Sequence, residues 1–95
     1  MIFPIRLYKV VGHSMEPSIK DGSVVLVEKI THLFRAPKVN EVVLFKFQNK
    51  TFIKRISSEE NNSYYMTGDN YVDSLDSGEI GKINRGDILG KVIYF

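Results

Sequence analysis

The stretch EVVLFKFQNKTFIKRI, residues 41–56, contains two apolar, β-branched runs separated by the polar residues Gln48-Asn49-Lys50. Short runs of this composition are typical of β-strands, and a short polar break between two of them favours a hairpin. Residues 41–56 therefore predict two neighbouring antiparallel strands, at residues 41–47 and 51–56.

Similar runs lie on both sides of this hairpin, each bounded by Gly, Pro, Asn, Asp or Ser: residues 7–11, 24–27, 64–67 and 88–95. Helical signals are scarce: one turn is expected at residues 16–20 and another at residues 30–34, ended by Pro37. Residues 59–63 are predicted to form a solvated loop. We predict an all-β fold, a coiled antiparallel sheet that closes into a partial β-barrel, with one short helical turn.

Length and composition exclude several classes of protein. Ninety-five residues predict a single domain, residues 1–95, and leave no room for a two-domain cofactor enzyme. Thirteen Lys+Arg and eleven Asp+Glu are interleaved along the chain, so no nucleic-acid partner is expected. The chain has no cysteine, which excludes disulfides, thiolate zinc sites and cysteine nucleophiles. The acidic residues at 69, 73, 76 and 79 miss the spacing of a calcium-binding loop, so no metal or cofactor is predicted.

No apolar run approaches the ~20 residues of a membrane-spanning helix, because Arg6 and Lys9 interrupt residues 1–11. Residues 1–5 could contact a membrane surface, but five residues give only weak anchoring. We therefore expect a soluble cytoplasmic or peripherally membrane-associated protein, with membrane contact at most peripheral.

Lys54 is the first residue that suggests chemistry. Because side chains alternate along a strand, Lys54 shares a sheet face with Phe52 and Ile56, while Arg55 lies on the opposite face. Burial among apolar neighbours lowers the pKa of a lysine and allows the neutral amine to act as a general base. The alternative is a lysine whose stem lies along the sheet while its amine reaches water.

Ser14 lies in the segment GHSMEPS, residues 12–18, directly after a predicted strand. A serine on a turn flanked by Gly and Pro can be presented with its backbone N–H available to an oxyanion. The alternative is an ordinary loop serine. A Ser-His pair is not expected, because His13 is adjacent to Ser14 in the chain and His32 has no partner motif.

Three motifs together resemble those of the type I signal peptidases. Residues 14–18, SMEPS, followed by Asp21-Gly22, resemble the nucleophile box of that family. Residues 52–56, FIKRI, resemble its general-base box, and residues 68–77, GDNYVDSLDS, are similar to its third box. The motifs occur in the family's order and cover nearly the whole chain. The chain resembles the minimal, anchorless branch, which includes maturation proteases of nickel-type superoxide dismutase.

This resemblance implies a serine endopeptidase that uses a Ser-Lys dyad. Ser14 would be the nucleophile, Lys54 the general base and Ser74 the hydroxyl that orients the lysine. The expected substrate is the extended N-terminal segment of a precursor protein, from which a leader or signal sequence is removed after small residues such as Ala-x-Ala. The residues that the resemblance assigns to structural support are Asp69, Asn70, Asp76 and Arg55, with Asp76 as a partner for Arg55.

Several residues are carried over as the substrate-binding set, although plain core packing is the alternative for each apolar one: Tyr8, Val10, Val11, Gly12, Met15, Ile19, Phe52 and Ile53. Gly12 stands where many bacterial members have a hydroxyl that stabilises the oxyanion, so this role would depend on the Ser14 N–H. Gly78 replaces the arginine that follows Asp-Ser in the family.

Two other functions stay open. One is a catalytically weak or inactive module of the same fold that binds extended peptides without cutting them. The other is a repressor autoprotease, which uses the same dyad to cut itself. The repressors carry a DNA-binding domain and a cleavable linker, and the sequence given contains neither.

Overall fold

The computed structural model describes residues 5–70 and 80–94. Within these residues the chain forms seven strands and one four-residue helix, α1, which spans Thr31–Phe34. A 3-10 turn at Arg85–Asp87 precedes the last strand. The strands are β1 (Ile5–Lys9), β2 (Val24–Glu28), β3 (Val42–Phe47), β4 (Lys50–Glu60), β5 (Ser63–Thr67), β6 (Ile83–Asn84) and β7 (Ile88–Tyr94).

The strands form one antiparallel sheet in the order β1-β2-β7-β3-β4-β5-β6. The last strand, β7, lies in the middle, with Val92 opposite Val27 of β2 and Gly90 opposite Leu44 of β3. A Cβ on Gly90 would lie 2.6 Å from Val27 Cγ1 and 2.8 Å from the carbonyl oxygen of Glu28, so this close approach requires glycine. The described strands form an open sheet, and the predicted all-β class is confirmed.

The hairpin predicted at residues 41–56 is confirmed. β3 and β4 pair from Val42 opposite Arg55 to Phe47 opposite Lys50. The turn consists of Gln48 and Asn49, whose φ angles of 50° and 63° match the left-handed pair of a type I′ turn. This register places Val43 opposite Lys54.

The next hairpin is longer than predicted. The solvated loop expected at residues 59–63 is wrong for all but Asn61 and Asn62, which form the turn with φ angles of 51° and 65°. Glu59 pairs with Tyr64, and the strands continue to the turn. The side chains of Glu59 and Glu60 are exposed while their backbone pairs with β5, so the polarity of this segment marked an exposed hairpin rather than a loop.

The buried side chains form two clusters. The first is formed by β2, β3, β7 and the connection between β1 and β2, and contains Val10, Met15, Ile19, Val25, Val27, Val42, Leu44 and Val92. The second lies under β3 to β6 and contains Val43, Phe45, Ile56, Tyr64, Met66, Ile80 and Ile83. In the part of the chain that the structure describes, no helix is long and apolar enough to span a membrane.

Candidate active site

Lys54 lies near the middle of β4 and is 2% exposed. Its neighbours on the same face are also inside, since Ile56 is fully buried and Phe52 is half-buried. The alternation predicted for this strand is therefore confirmed. Among the described residues, Lys54 is the only charged residue that is buried. A lysine in such a position has lost most of its hydration, and burial favours its neutral form.

Ser14 lies in the connection between β1 and β2, and residues 12–22 are called the serine loop below. The base of this loop is closed by two backbone hydrogen bonds. Val10 N–H donates to the Ser23 carbonyl at 2.7 Å, and Gly22 N–H donates to the Val10 carbonyl at 2.8 Å. Inside the loop, Ile19 N–H donates to the Met15 carbonyl at 2.9 Å, which confirms the helical turn predicted near residues 16–20. Ser14 itself is half-buried.

Gly12 begins the serine loop with a φ of 101°, a conformation that side-chain-bearing residues rarely adopt. Its N–H donates to Asp21 Oδ1 at 2.8 Å, which joins the two ends of the loop. Glycine at this position, rather than the hydroxyl residue of many bacterial signal peptidases, therefore has a conformational reason in this chain.

Asp69 and Asn70, two residues predicted to give structural support, hold the serine loop from outside. Asn70 N–H donates to the Ser14 carbonyl at 2.9 Å, and Asn70 Nδ2 donates to the His13 carbonyl at 3.0 Å. The hydroxyl of Ser18 donates to Asp69 Oδ2 at 2.5 Å. The segment that follows β5 is thus bonded directly to the residue proposed as the nucleophile.

Arg55 connects this assembly to the strand that carries Lys54. Its Nε donates to Asp69 Oδ1 at 2.9 Å and its Nη2 donates to Asp69 Oδ2 at 2.8 Å, a bidentate ion pair. These hydrogen bonds from Arg55, with the one from Ser18, hold the pKa of Asp69 below its usual value although burial opposes the shift. Sequence analysis assigned Asp76 as the partner of Arg55. Among the described residues Arg55 pairs with Asp69, and the role of Asp76, which lies outside them, stays a prediction.

A cleft of about 190 Å³ opens beside Ser14. Its walls come from the end of β1, the serine loop and the β3–β4 hairpin. The residues that line it are Tyr8, Lys9, Val10, Val11, Ser14, Met15, Leu44, Thr51, Phe52 and Ile53. The two residues that precede Lys54 in β4 therefore form part of the same cleft as Ser14.

Six of the eight residues proposed to bind substrate line this cleft. Gly12 is not among the lining residues, but it lies in the chain between two that are, Val11 and Ser14. Ile19 is 2% exposed in the first core cluster and is not among the lining residues, so core packing describes it. Sequence analysis missed Lys9, Leu44 and Thr51. The hairpin register places Leu44 opposite Ile53, and that pairing was the signal that could have identified it.

The other candidate residues lie elsewhere. Ser74 and Gly78 are outside the described residues. His13 Nδ1 lies 3.0 Å from Glu16 Oε2, and His32 Nε2 lies 3.1 Å from Glu41 Oε1, so both histidines contact a carboxylate. Within residues 5–70 and 80–94, no group of three His, Cys, Asp or Glu residues is arranged to hold a metal ion.

Comparison with known proteins shows which sequences this chain resembles. The family described as Peptidase S24-like matches residues 4–93. The chain is 42% identical to signal peptidase I V of Bacillus subtilis (strain 168), over 52% of this chain and 30% of that protein. It is 35% identical to the chloroplastic thylakoidal processing peptidase 1 of Arabidopsis thaliana, over 50% of this chain and 18% of that protein. The chain thus matches less than a third of the length of either relative.

Proposed function

We propose, because the chain belongs to the Peptidase S24-like family, that it is a serine endopeptidase with Ser14 as nucleophile and Lys54 as general base. One observation carries the proposal. The one charged residue buried among the described residues is a lysine, and the two residues before it line a cleft together with a serine. Burial of the lysine supports the neutral state that a general base requires.

The chemical steps follow from these roles. Ser14 Oγ attacks the carbonyl carbon of the scissile peptide bond while Lys54 Nζ accepts the hydroxyl proton. The carbonyl oxygen becomes an oxyanion, for which the Ser14 N–H is the proposed donor. Lys54 then gives the proton to the leaving amine as the C–N bond breaks. Water, activated by Lys54, hydrolyses the resulting ester and regenerates Ser14.

Positioning in this mechanism depends on residues that hold Ser14 and Lys54 relative to one another. Asn70 bonds to the Ser14 carbonyl, and Asp69 joins Ser18 of the serine loop to Arg55 of β4. A group fixed by charged hydrogen bonds loses little entropy when it reaches the reactive geometry. Ser74 is proposed to orient the Lys54 amine.

The proposed substrate is the extended N-terminal segment of a precursor protein. The two relatives are named a signal peptidase and a processing peptidase, which supports removal of a leader. The cleft beside Ser14 has a volume of only about 190 Å³, which suits small side chains such as alanine at the first and third residues before the cut.

The test is cleavage of a leader peptide containing Ala-x-Ala by the wild type, Ser14→Ala and Lys54→Met between pH 6 and 10. Each variant needs a matched control on the surface, Ser58→Ala and Lys38→Met, since both positions are exposed. We expect loss of activity in Ser14→Ala and Lys54→Met only. In the wild type the rate should rise with an apparent pKa well below the ~10.4 of a free lysine.

Other outcomes would point elsewhere. Cleavage that survives Ser14→Ala rejects the mechanism. Binding of the peptide with no cleavage by the wild type supports the second candidate, an inactive module that binds extended peptides. The engaged Gly12 N–H favours that candidate, because it is directed to Asp21 and not into the cleft.

A further inference from the structure

Lys9 is the only charged side chain among the described residues that line the cleft. The strand register places a second lysine, Lys46, on the same side, and Lys9 and Lys46 together are called the rim below. Lys46 of β3 pairs with Thr51 of β4, and directly opposed residues of an antiparallel pair share one face of the sheet. Because Thr51 lines the cleft, Lys46 lies on the cleft side of the hairpin. Both lysines are exposed.

Neither Lys9 nor Lys46 forms an ion pair with any residue that the structure describes. The two acidic residues of the serine loop have other contacts: Glu16 lies against His13, and Asp21 accepts the Gly12 N–H. Neither of these carboxylates lines the cleft. A peptide in the cleft therefore meets positive charge at its rim.

We propose that this rim selects precursor segments that carry Asp or Glu at the second or fourth residue before the cut. The inference rests on the proposed peptidase function and names its substrate class. In an extended peptide, alternate side chains point to opposite sides, so small residues at the first and third positions leave the second and fourth free to face the rim. Thr51 lies three residues before Lys54, about 10 Å along the strand at about 3.3 Å per residue, which is within reach of the fourth residue.

The size of the effect follows from the exposure of the lysines. An ion pair between solvent-exposed groups gives about a twofold to fivefold preference. Exposed charges are screened by salt over about 8 Å at physiological ionic strength and about 3 Å at 1 M. The preference should therefore shrink as the NaCl concentration is raised.

Competing peptides test the proposal in the intact chain. Each peptide has the same Ala-x-Ala leader, with Asp, Asn or Lys at the second or at the fourth residue before the cut. We expect kcat/KM to be about twofold to fivefold higher for Asp than for Asn at one of these positions, and lowest for Lys. In the double variant that carries Lys9→Glu and Lys46→Glu, the order of the kcat/KM values should reverse. Lys38→Met, which removes an exposed lysine far from the cleft, should keep the Asp preference.

A binding measurement separates failure of this inference from failure of the proposed function. Ser14→Ala, which cannot form the ester, is titrated with the labelled Asp, Asn and Lys peptides, and fluorescence anisotropy gives their Kd values. Equal Kd values, or an order unchanged by the two Lys→Glu substitutions, overturn the inference even if every peptide is cleaved. Kd values that differ with peptide charge, without cleavage by the wild type, support the proposed charge preference but reject the proposed peptidase function.

Discussion

The serine loop, residues 12–22, and the α1 connection, residues 29–41, each link two strands that are consecutive in the chain, and both are held by carboxylates. In the serine loop the contacts reach residues outside the loop. Asn70 bonds to the loop backbone, and Asp69 bonds both to Ser18 of the loop and to Arg55 of β4. In the α1 connection the contacts go to two carboxylates, Glu28, which accepts two hydrogen bonds from Thr31, and Glu41. Glu41 accepts hydrogen bonds from the Lys38 N–H and from Arg35, contacts His32, and lies 3.5 Å from Lys91.

The serine loop and the α1 connection also differ in how much of their apolar surface is buried. The serine loop buries Met15 and Ile19 in the first core cluster. Helix α1 has no buried residue, and Leu33 and Phe34 are 77% and 86% exposed. The serine loop thus combines apolar burial with an ion pair that reaches another strand, whereas the α1 connection depends on contacts to carboxylates such as the half-buried Glu41. Substitutions in the two regions should therefore have different consequences.

Among substitutions in the two connections and their contacts, the largest effect is expected for Asp69→Ala, because it leaves the partly buried Arg55 without its carboxylate. We expect the free energy of unfolding to fall by about 2–3 kcal/mol. Peptide cleavage should fall at least about tenfold, since the serine loop loses its link to β4. Urea unfolding and kcat/KM measure the two effects, with Ser18→Ala as the milder control. Lost stability with full activity would show that Asp69 does not position Ser14.

Glu41→Gln should have the next largest effect, and it should change the free energy of unfolding alone. Burial acts to raise the pKa of Glu41, but hydrogen bonds from Arg35, Lys38 and His32 prevail and hold it at about 2. A carboxyl with a lowered folded pKa stabilises the protein above its unfolded pKa and loses this effect as the pH falls. We expect Glu41→Gln to cost about 1–2 kcal/mol at pH 7. The kcat of the folded variant should be unchanged.

The pH dependence supplies the control for Glu41. Wild-type stability should decrease between about pH 5 and pH 2, the interval between the unfolded and folded pKa values. The decrease should be shallower in Glu41→Gln, because one of the titrating groups is gone. Parallel curves for the two proteins in thermal unfolding would show that Glu41 does not carry the stabilisation.

Sequence reasoning succeeded where the physics is local. Alternation along residues 51–56 identified Lys54 as the buried basic residue and Arg55 as its outward neighbour, and the polar break identified the β3–β4 turn. The all-β class followed from the same runs. Both kinds of signal depend on residues within a few positions of one another, which is the range over which periodicity carries information.

Sequence reasoning failed where the outcome depends on distant packing. It did not foresee the ion pair between Arg55 and Asp69. It left open whether Ile19 binds substrate or packs in the core, and the structure buries this side chain in the first core cluster. It gave no reason to expect β7 between β2 and β3, since strand order is set by the whole sheet. Each miss concerns a contact between segments far apart in the chain.

Gly12→Ala tests the serine loop with a smaller perturbation. Because Gly12 has a φ of 101°, a Cβ strains the backbone although no atom lies within 4 Å of it. We expect a loss of about 1 kcal/mol in stability. Gly86→Ala is the matched control, since Gly86 also has open space around it but no positive φ. Equal stabilities of the two variants in urea unfolding would contradict the conformational explanation for Gly12.

The smallest effect is expected for Phe34→Ser in the α1 connection. Phe34 is 86% exposed on a helix without buried residues, so replacing its ring removes little buried apolar surface. The free energy of unfolding should change by less than about 0.5 kcal/mol. Phe45→Ala in the second core cluster, where the ring is fully buried, should cost about 3–5 kcal/mol. A loss in Phe34→Ser approaching that of Phe45→Ala in urea unfolding would show that α1 packs against part of the molecule. The α1 connection would then be held by burial as the serine loop is, and the contrast between the two regions would fail.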